Sequence, residues 1–301
     1  MEQRSFKYVD RLPMGTGGKV WWILYPVLIY FGVQLGVGLI LGFVAAFSAI
    51  GDLAPLAISD PAAFQEQYTS QMTDMVNAMA FPLQVVSTIA CLAVFIPLFF
   101  RDMKKFALRP NKIEKSGALT WIAIPFVIWG LAFTFLFIFN LFKLYEVFPD
   151  MSNLAGILEG VHPILTFLAI AVLTPIMEEF FFRGLLFKRL RGVMGFIPAA
   201  LISSLFFGIM HLTPPQIIYT SILGFILAYI YEKKGSIWVP IFGHFCLNGL
   251  LIVIDTVFGE NFGEDANNIL IIAISAVVFA GALLLLITSM KKIPAYEPPA
   301  G

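Results

Sequence analysis

Six residues of this 301-residue chain carry chemistry that their apolar surroundings make costly. Glu178 and Glu179 are adjacent, Arg183 follows Glu179 by one helical turn, His211 lies further on, and His244 and Asn248 are again one turn apart. Carboxylates and imidazoles can take a proton from water, and N–H donors can stabilise the oxyanion that forms when water attacks a carbonyl. Residues four apart share a helix face, whereas adjacent residues point about 100° apart. Glu179 and Arg183 can therefore pair and neutralise each other. Glu178 points elsewhere and has no cation on its own helix. A buried carboxylate without a counter-ion holds a proton more tightly and can exchange it near neutral pH. Glu178 is thus the better general-base candidate of the two. In the stretch FFGIMH, Phe207 and His211 are one turn apart, so the ring can pack beside the imidazole. In GHFCLN, His244 and Asn248 face one cavity. A lone membrane histidine is ordinarily a core residue bonded to a backbone carbonyl. Two of them, with a free carboxylate, an ion pair and an amide in the same half of the chain, point to a site.

The elements that must hold these groups are membrane helices. The chain is 59% apolar and 13% charged, with a mean hydropathy of +0.88. A soluble domain carries about 25% charged residues. A hydrocarbon core roughly 30 Å thick takes about 20 apolar residues in a helix. By that measure, eight segments qualify: 20–49, 79–100, 119–142, 161–187, 196–212, 216–231, 236–256 and 269–290. The first is too long for a cleavable signal. Its pairs Gly32/Gly36 and Gly38/Gly42 have the spacing of close helix packing. Cys91 and Cys246 both lie in apolar segments and read as small core residues.

Lysine and arginine concentrate on the cytoplasmic side of membrane proteins. Of the 19 basic residues, all but Lys143 and Arg183 fall in the termini, the 101–118 loop, or the loops carrying Lys188, Arg189, Arg191, Lys233 and Lys234. The opposite loops, 51–78, 144–160 and 257–268, hold ten acidic residues and, Lys143 apart, no basic ones. The expected fold is therefore all-α: a polytopic membrane protein of about eight transmembrane helices with both termini cytoplasmic. It divides into a cytoplasmic segment 1–19, three scaffold helices over 20–150, a catalytic helical core with the last helix over 151–290, and a cytoplasmic tail 291–301. The 51–78 loop has room for a short surface helix. Segments one to three hold no charged residue or histidine. Intramembrane ionisable groups are functional candidates by default, so the chemistry belongs to the second half.

Glu178-Glu179-xxx-Arg183, Phe207-xxx-His211 and His244-xxx-Asn248, in that order on successive helices, resemble the motifs of the CPBP family. That family comprises the type II CAAX prenyl endopeptidases and the Abi bacteriocin-processing and immunity proteins. The resemblance covers roughly 160–255. It implies an intramembrane peptidase in which Glu178 and His211 activate water, His244 and Asn248 form the oxyanion hole, and Glu179, Arg183 and Phe207 support them. The implied partners are membrane lipid and a membrane-associated peptide or protein substrate, prenylated or bacteriocin-like, and no nucleic acid. The implied setting is a bacterial cytoplasmic membrane.

Two histidines and a glutamate also suit one divalent metal such as zinc, with Glu178, His211 and His244 as candidate ligands and water in the fourth position. HExxH is absent, and a metal-free glutamate mechanism suits the same residues. A proton-coupled transporter would also use buried Glu, His and Arg, but the first half carries no counterpart of the motifs. A non-catalytic immunity or regulatory protein of the same family is the other alternative. Counted from the cytoplasmic helix ends, Glu178 and His244 lie about 13 Å deep and His211 about 22 Å. The mismatch suggests that 188–200 partly lies along the interface and that segments five and six form a short hairpin turning at 211–216.

Overall fold

A computed structural model describes residues 14–105, 118–147, 161–258 and 268–289. Among them there are helices and turns but no strand. The helices are α1 (Thr16–Ser59), α2 (Pro61–Lys105), α3 (Ala118–Leu141), the short α4 (Leu144–Val147), α5 (Pro163–Arg191), α6 (Phe196–Ile209), α7 (Pro214–Lys234), α8 (Trp238–Phe258) and α9 (Asn268–Ser289). Five are long and apolar enough to cross a membrane: α1, α2, α3, α5 and α7. Shorter apolar helices lie in α6, α8 and α9. The chain is an all-α polytopic membrane protein.

Burial follows the sequence periodicity. Along α1, Leu24, Leu28, Phe31, Leu35, Leu39, Phe43 and Phe47 form an exposed stripe, while Trp22 and Tyr30 turn inward. Such a stripe suits contact with lipid tails, which solvate apolar side chains without cost.

Three local expectations change. First, the 51–78 stretch is helical on both sides of Asp60, because α1 and α2 run 44 and 45 residues. At 1.5 Å per residue each is about 65 Å long, over twice the hydrocarbon thickness. Asp60 turns the hairpin: its Oδ1 accepts from the Ala63 N–H, and Pro61 opens α2, where a missing N–H costs nothing. Second, Gly32, Gly36, Gly38 and Gly42 face open space. Close packing occurs instead at Gly130 of α3, where an added Cβ would come within 2.8 Å of the Phe279 backbone of α9. Spacing alone does not tell a packed face from a lipid-facing one. Third, the expected break at 188–200 is narrower, since Lys188–Arg191 is the last turn of α5 and α6 begins after Gly195.

The hairpin joining α6 and α7 turns at 210–213, with Leu212 in the left-handed region at φ 68°. α6 is short, at 14 residues and about 21 Å. α7, at 21 residues, is full length, so only one arm of the expected short hairpin is short.

A buried ion pair, absent from the sequence expectations, locks α5 to the first two helices. Arg189 is fully buried; its Nε donates to Asp102 Oδ2 of α2 at 2.7 Å and its Nη2 to the Tyr25 hydroxyl of α1 at 2.7 Å. Its Nη1 donates to the Trp22 carbonyl, and the guanidinium lies over both the Trp22 and Tyr25 rings. Arg101 bonds the other Asp102 oxygen.

Candidate active site

α5 carries the paired glutamates on an irregular helix. Two π-helical stretches, Phe167–Leu173 and Phe180–Phe187, flank a six-residue α-helical piece, Thr174–Glu179. Such π insertions change which side chains share a face and occur often at functional sites. Gly184, in the second, lets the Phe99 ring of α2 approach to 2.9 Å of where a Cβ would stand.

Glu179 is wholly buried and holds two partners on one oxygen. Its Oε1 accepts from Arg183 Nη1 at 2.9 Å and from His244 Nδ1 at 2.9 Å. Its Oε2 has no partner among the described residues. Arg183 also donates to the Gly224 carbonyl of α7 at 3.2 Å and lies over the Phe207 ring at 4.5 Å. A side chain at Gly224 would press on both Phe207 and Arg183. Beside Arg183 the Glu179 carboxylate can only accept, so the proton of this hydrogen bond sits on His244 Nδ1.

The opposite ring nitrogen of His244, Nε2, faces Glu178 Oε2 at 3.6 Å, longer than a hydrogen bond. Glu178 is the more open carboxylate, 16% exposed against 0% for Glu179. It lacks a cation on its own helix, but α8 brings His244 to it.

His211 is tied differently. Its Nδ1 lies 2.9 Å from the Phe207 carbonyl. A carbonyl only accepts, so Nδ1 carries the proton and Nε2 of the neutral ring is left as a base. Phe207 is the hub: His211 packs edge-on to its ring at 4.8 Å, His244 at 5.7 Å, and Arg183 lies over it. The two histidines therefore reach one level, against the mismatch obtained by counting from helix ends.

Asn248, one turn beyond His244, donates its Nδ2 to the Ile170 carbonyl of α5 at 2.9 Å. Among the described residues, no three His, Cys, Asp or Glu side chains are grouped to hold a metal ion. Each histidine holds its Nδ1 on an acceptor, Glu179 for His244 and the Phe207 carbonyl for His211, which leaves Nε2 as the nitrogen a metal would take.

Sequence reasoning missed one neighbour of the site. Tyr30 of α1 is buried, stacks on Phe181 at 4.9 Å, and lies close enough to Glu178 to feel its charge, with Gln34 as its polar neighbour one turn on. The signal was there: Gln34 is the one amide in the apolar run 20–47, and Tyr30 lies one turn before it. Through Tyr30, α1 packs on the part of α5 that carries the paired glutamates.

Residues 160–250 match the family described as Rce1-like, type II CAAX prenyl endopeptidase. Over 189 residues the chain is 28% identical to "Putative membrane peptidase YdiL" of Bacillus subtilis (strain 168), a match spanning 60% of this chain and 74% of that protein. No solved structure matches. The segment that carries the site is thus similar to the CPBP family proteases. The chain as a whole is an integral membrane protein and, in general terms, a membrane protease.

Proposed function

We propose that the protein is an intramembrane endopeptidase that hydrolyses a peptide bond in a membrane-associated substrate, either a prenylated CAAX-type protein or a bacteriocin-like peptide. The observation that carries this reading is the chain Arg183–Glu179–His244 with Glu178 facing the far side of the imidazole. Glu178 takes one proton of the attacking water, and the free nitrogen of His211 accepts a hydrogen bond from that water and holds it for attack. His244, its Nδ1–H fixed on Glu179, donates to the oxyanion from Nε2 once that nitrogen carries a proton, and the amide of Asn248 donates beside it. Arg183 fixes the Glu179 carboxylate in place, and a site shielded from bulk water strengthens each of these interactions. The proton taken by Glu178 passes to the leaving amine as the tetrahedral intermediate collapses.

The setting we infer is a bacterial cytoplasmic membrane with both termini inside. Cysteines placed at Asp60 and Leu108 should then react with an impermeant thiol reagent from opposite sides. The function is tested by incubating wild-type protein and Glu178→Gln in proteoliposomes with a farnesylated CAAX peptide and with unprenylated membrane-anchored peptides, and reading cleavage by mass spectrometry. Cleavage by wild type alone supports the reading. Equal cleavage by both overturns it. Metal content of the active preparation, about one equivalent or none, decides whether a Lewis acid assists these residues.

A further inference from the structure

The bond from Asn248 to Ile170 fills a gap made by a proline. In the first π-helical stretch of α5, each N–H bonds the carbonyl five residues earlier; the last such bond runs from Thr174 N–H to the Ala169 carbonyl. The next would run from residue 175 to the Ile170 carbonyl. Residue 175 is proline, buried, and has no N–H to give. An unpaired carbonyl in a membrane interior is costly. Here the Asn248 side chain supplies the missing donor, at 2.9 Å.

A carboxamide nitrogen carries two protons. With one held by Ile170, the amide plane of Asn248 is anchored and the second N–H is left for another acceptor. His244, one turn earlier on α8, is anchored to the same helix through Glu179. Both donors assigned to the oxyanion are therefore fixed on α5, one by a carboxylate and one by an open backbone carbonyl.

We propose that Pro175 is a positioning residue: by withholding a backbone N–H from the Ile170 carbonyl, it reserves that carbonyl for Asn248 and so orients the amide toward the substrate oxygen. This rests on the oxyanion role given to Asn248 above. The sequence TPIMEE then has a division of labour, in which the proline prepares one oxyanion donor and the glutamates serve the other donor and the water.

Pro175→Ala restores an N–H that can bond Ile170 and release Asn248. An interior proline is unfavourable in a helix, so the change should not lower the melting temperature in detergent, and Pro175→Gly provides a second N–H-bearing variant. With protein labelled at asparagine side-chain nitrogen, and the Asn248 resonances assigned by their loss in Asn248→Ala, Pro175→Ala should move the Asn248 amide resonances. Unmoved resonances overturn the proposal, whatever the substrate. In the cleavage assay with the farnesylated peptide, Asn248→Ala should lose roughly 10²–10³-fold in kcat, the loss typical of one oxyanion donor. Pro175→Ala should lose much of the same kcat with little change in KM, and the double variant should be no slower than Asn248→Ala. Moved resonances with wild-type kcat, or multiplicative losses in the double variant, overturn the positioning role. If Asn248→Ala itself keeps wild-type kcat, the oxyanion assignment falls and takes this proposal with it; Glu178→Gln still tests the peptidase reading separately.

Discussion

Arg183 and Arg189 lie on one helix, and both are buried, bonded to a carboxylate and stacked over aromatic rings. The carboxylate of Arg183 is its own neighbour, one turn away, and it passes the interaction on to a histidine that faces the open Glu178. The carboxylate of Arg189 belongs to a different helix, and its remaining donors end on a carbonyl and a hydroxyl of a third. One arginine organises groups that can exchange protons. The other ties together three helices through Asp102, Tyr25 and Trp22, and its bonds reach neither the paired glutamates nor the histidines. Burial and pairing of charge therefore do not mark a catalytic group; what its partner faces next does.

The comparison can be broken most forcefully at Glu178. Glu178→Gln keeps shape but cannot take a proton from water, so cleavage should fall by roughly 10²–10⁴-fold with an unchanged melting temperature. His211→Ala should match it, and the double variant should be little worse than either, because groups acting on one water are not additive. Wild-type turnover by Glu178→Gln would remove the functional half of the contrast.

The next test sets the arginines against each other. Stranding one member of a buried ion pair costs about 3–5 kcal/mol, so Arg183→Ala and Arg189→Ala should both destabilise the protein in detergent melts. Below the melting temperature, the folded fraction of Arg189→Ala should cleave at nearly the wild-type rate, while Arg183→Ala should be inactive. Equal loss of kcat in both folded variants would show that the clamp also serves the site.

A smaller effect sharpens the structural half. Replacing a buried ion pair by apolar residues of similar volume is often neutral or stabilising. Arg189→Met with Asp102→Leu should therefore cost far less than Arg189→Ala alone. If the pair of changes is as damaging as the single one, the Arg189 bonds to Tyr25 and Trp22 matter more than its pairing with Asp102.

The smallest effect is expected at Tyr30. Tyr30→Phe keeps the stack on Phe181 and removes only the hydroxyl near Glu178. A loss of less than about ten-fold in kcat is expected, in line with one hydrogen-bonding group worth about 1 kcal/mol. No change in rate or in its pH profile would return α1 to a purely structural role.

The sequence by itself determined the class of fold, because hydropathy and the basic-loop asymmetry follow from the bilayer and not from tertiary detail. It also determined the pairing of Glu179 with Arg183 and of Phe207 with His211, since residues one turn apart on a helix meet wherever that helix is placed. Contacts between helices were beyond it. That His244 stands between the two glutamates, that Arg189 is a buried clamp rather than a loop charge, that Tyr30 reaches the site, and that Asn248 completes the hydrogen bonding of a π-helical turn all depend on how α1, α2, α5 and α8 pack. Helical periodicity tells which residues share a face, but which faces meet is decided by the fit of whole helices, down to a glycine at 184 that admits Phe99 and a proline at 175 that leaves one carbonyl open.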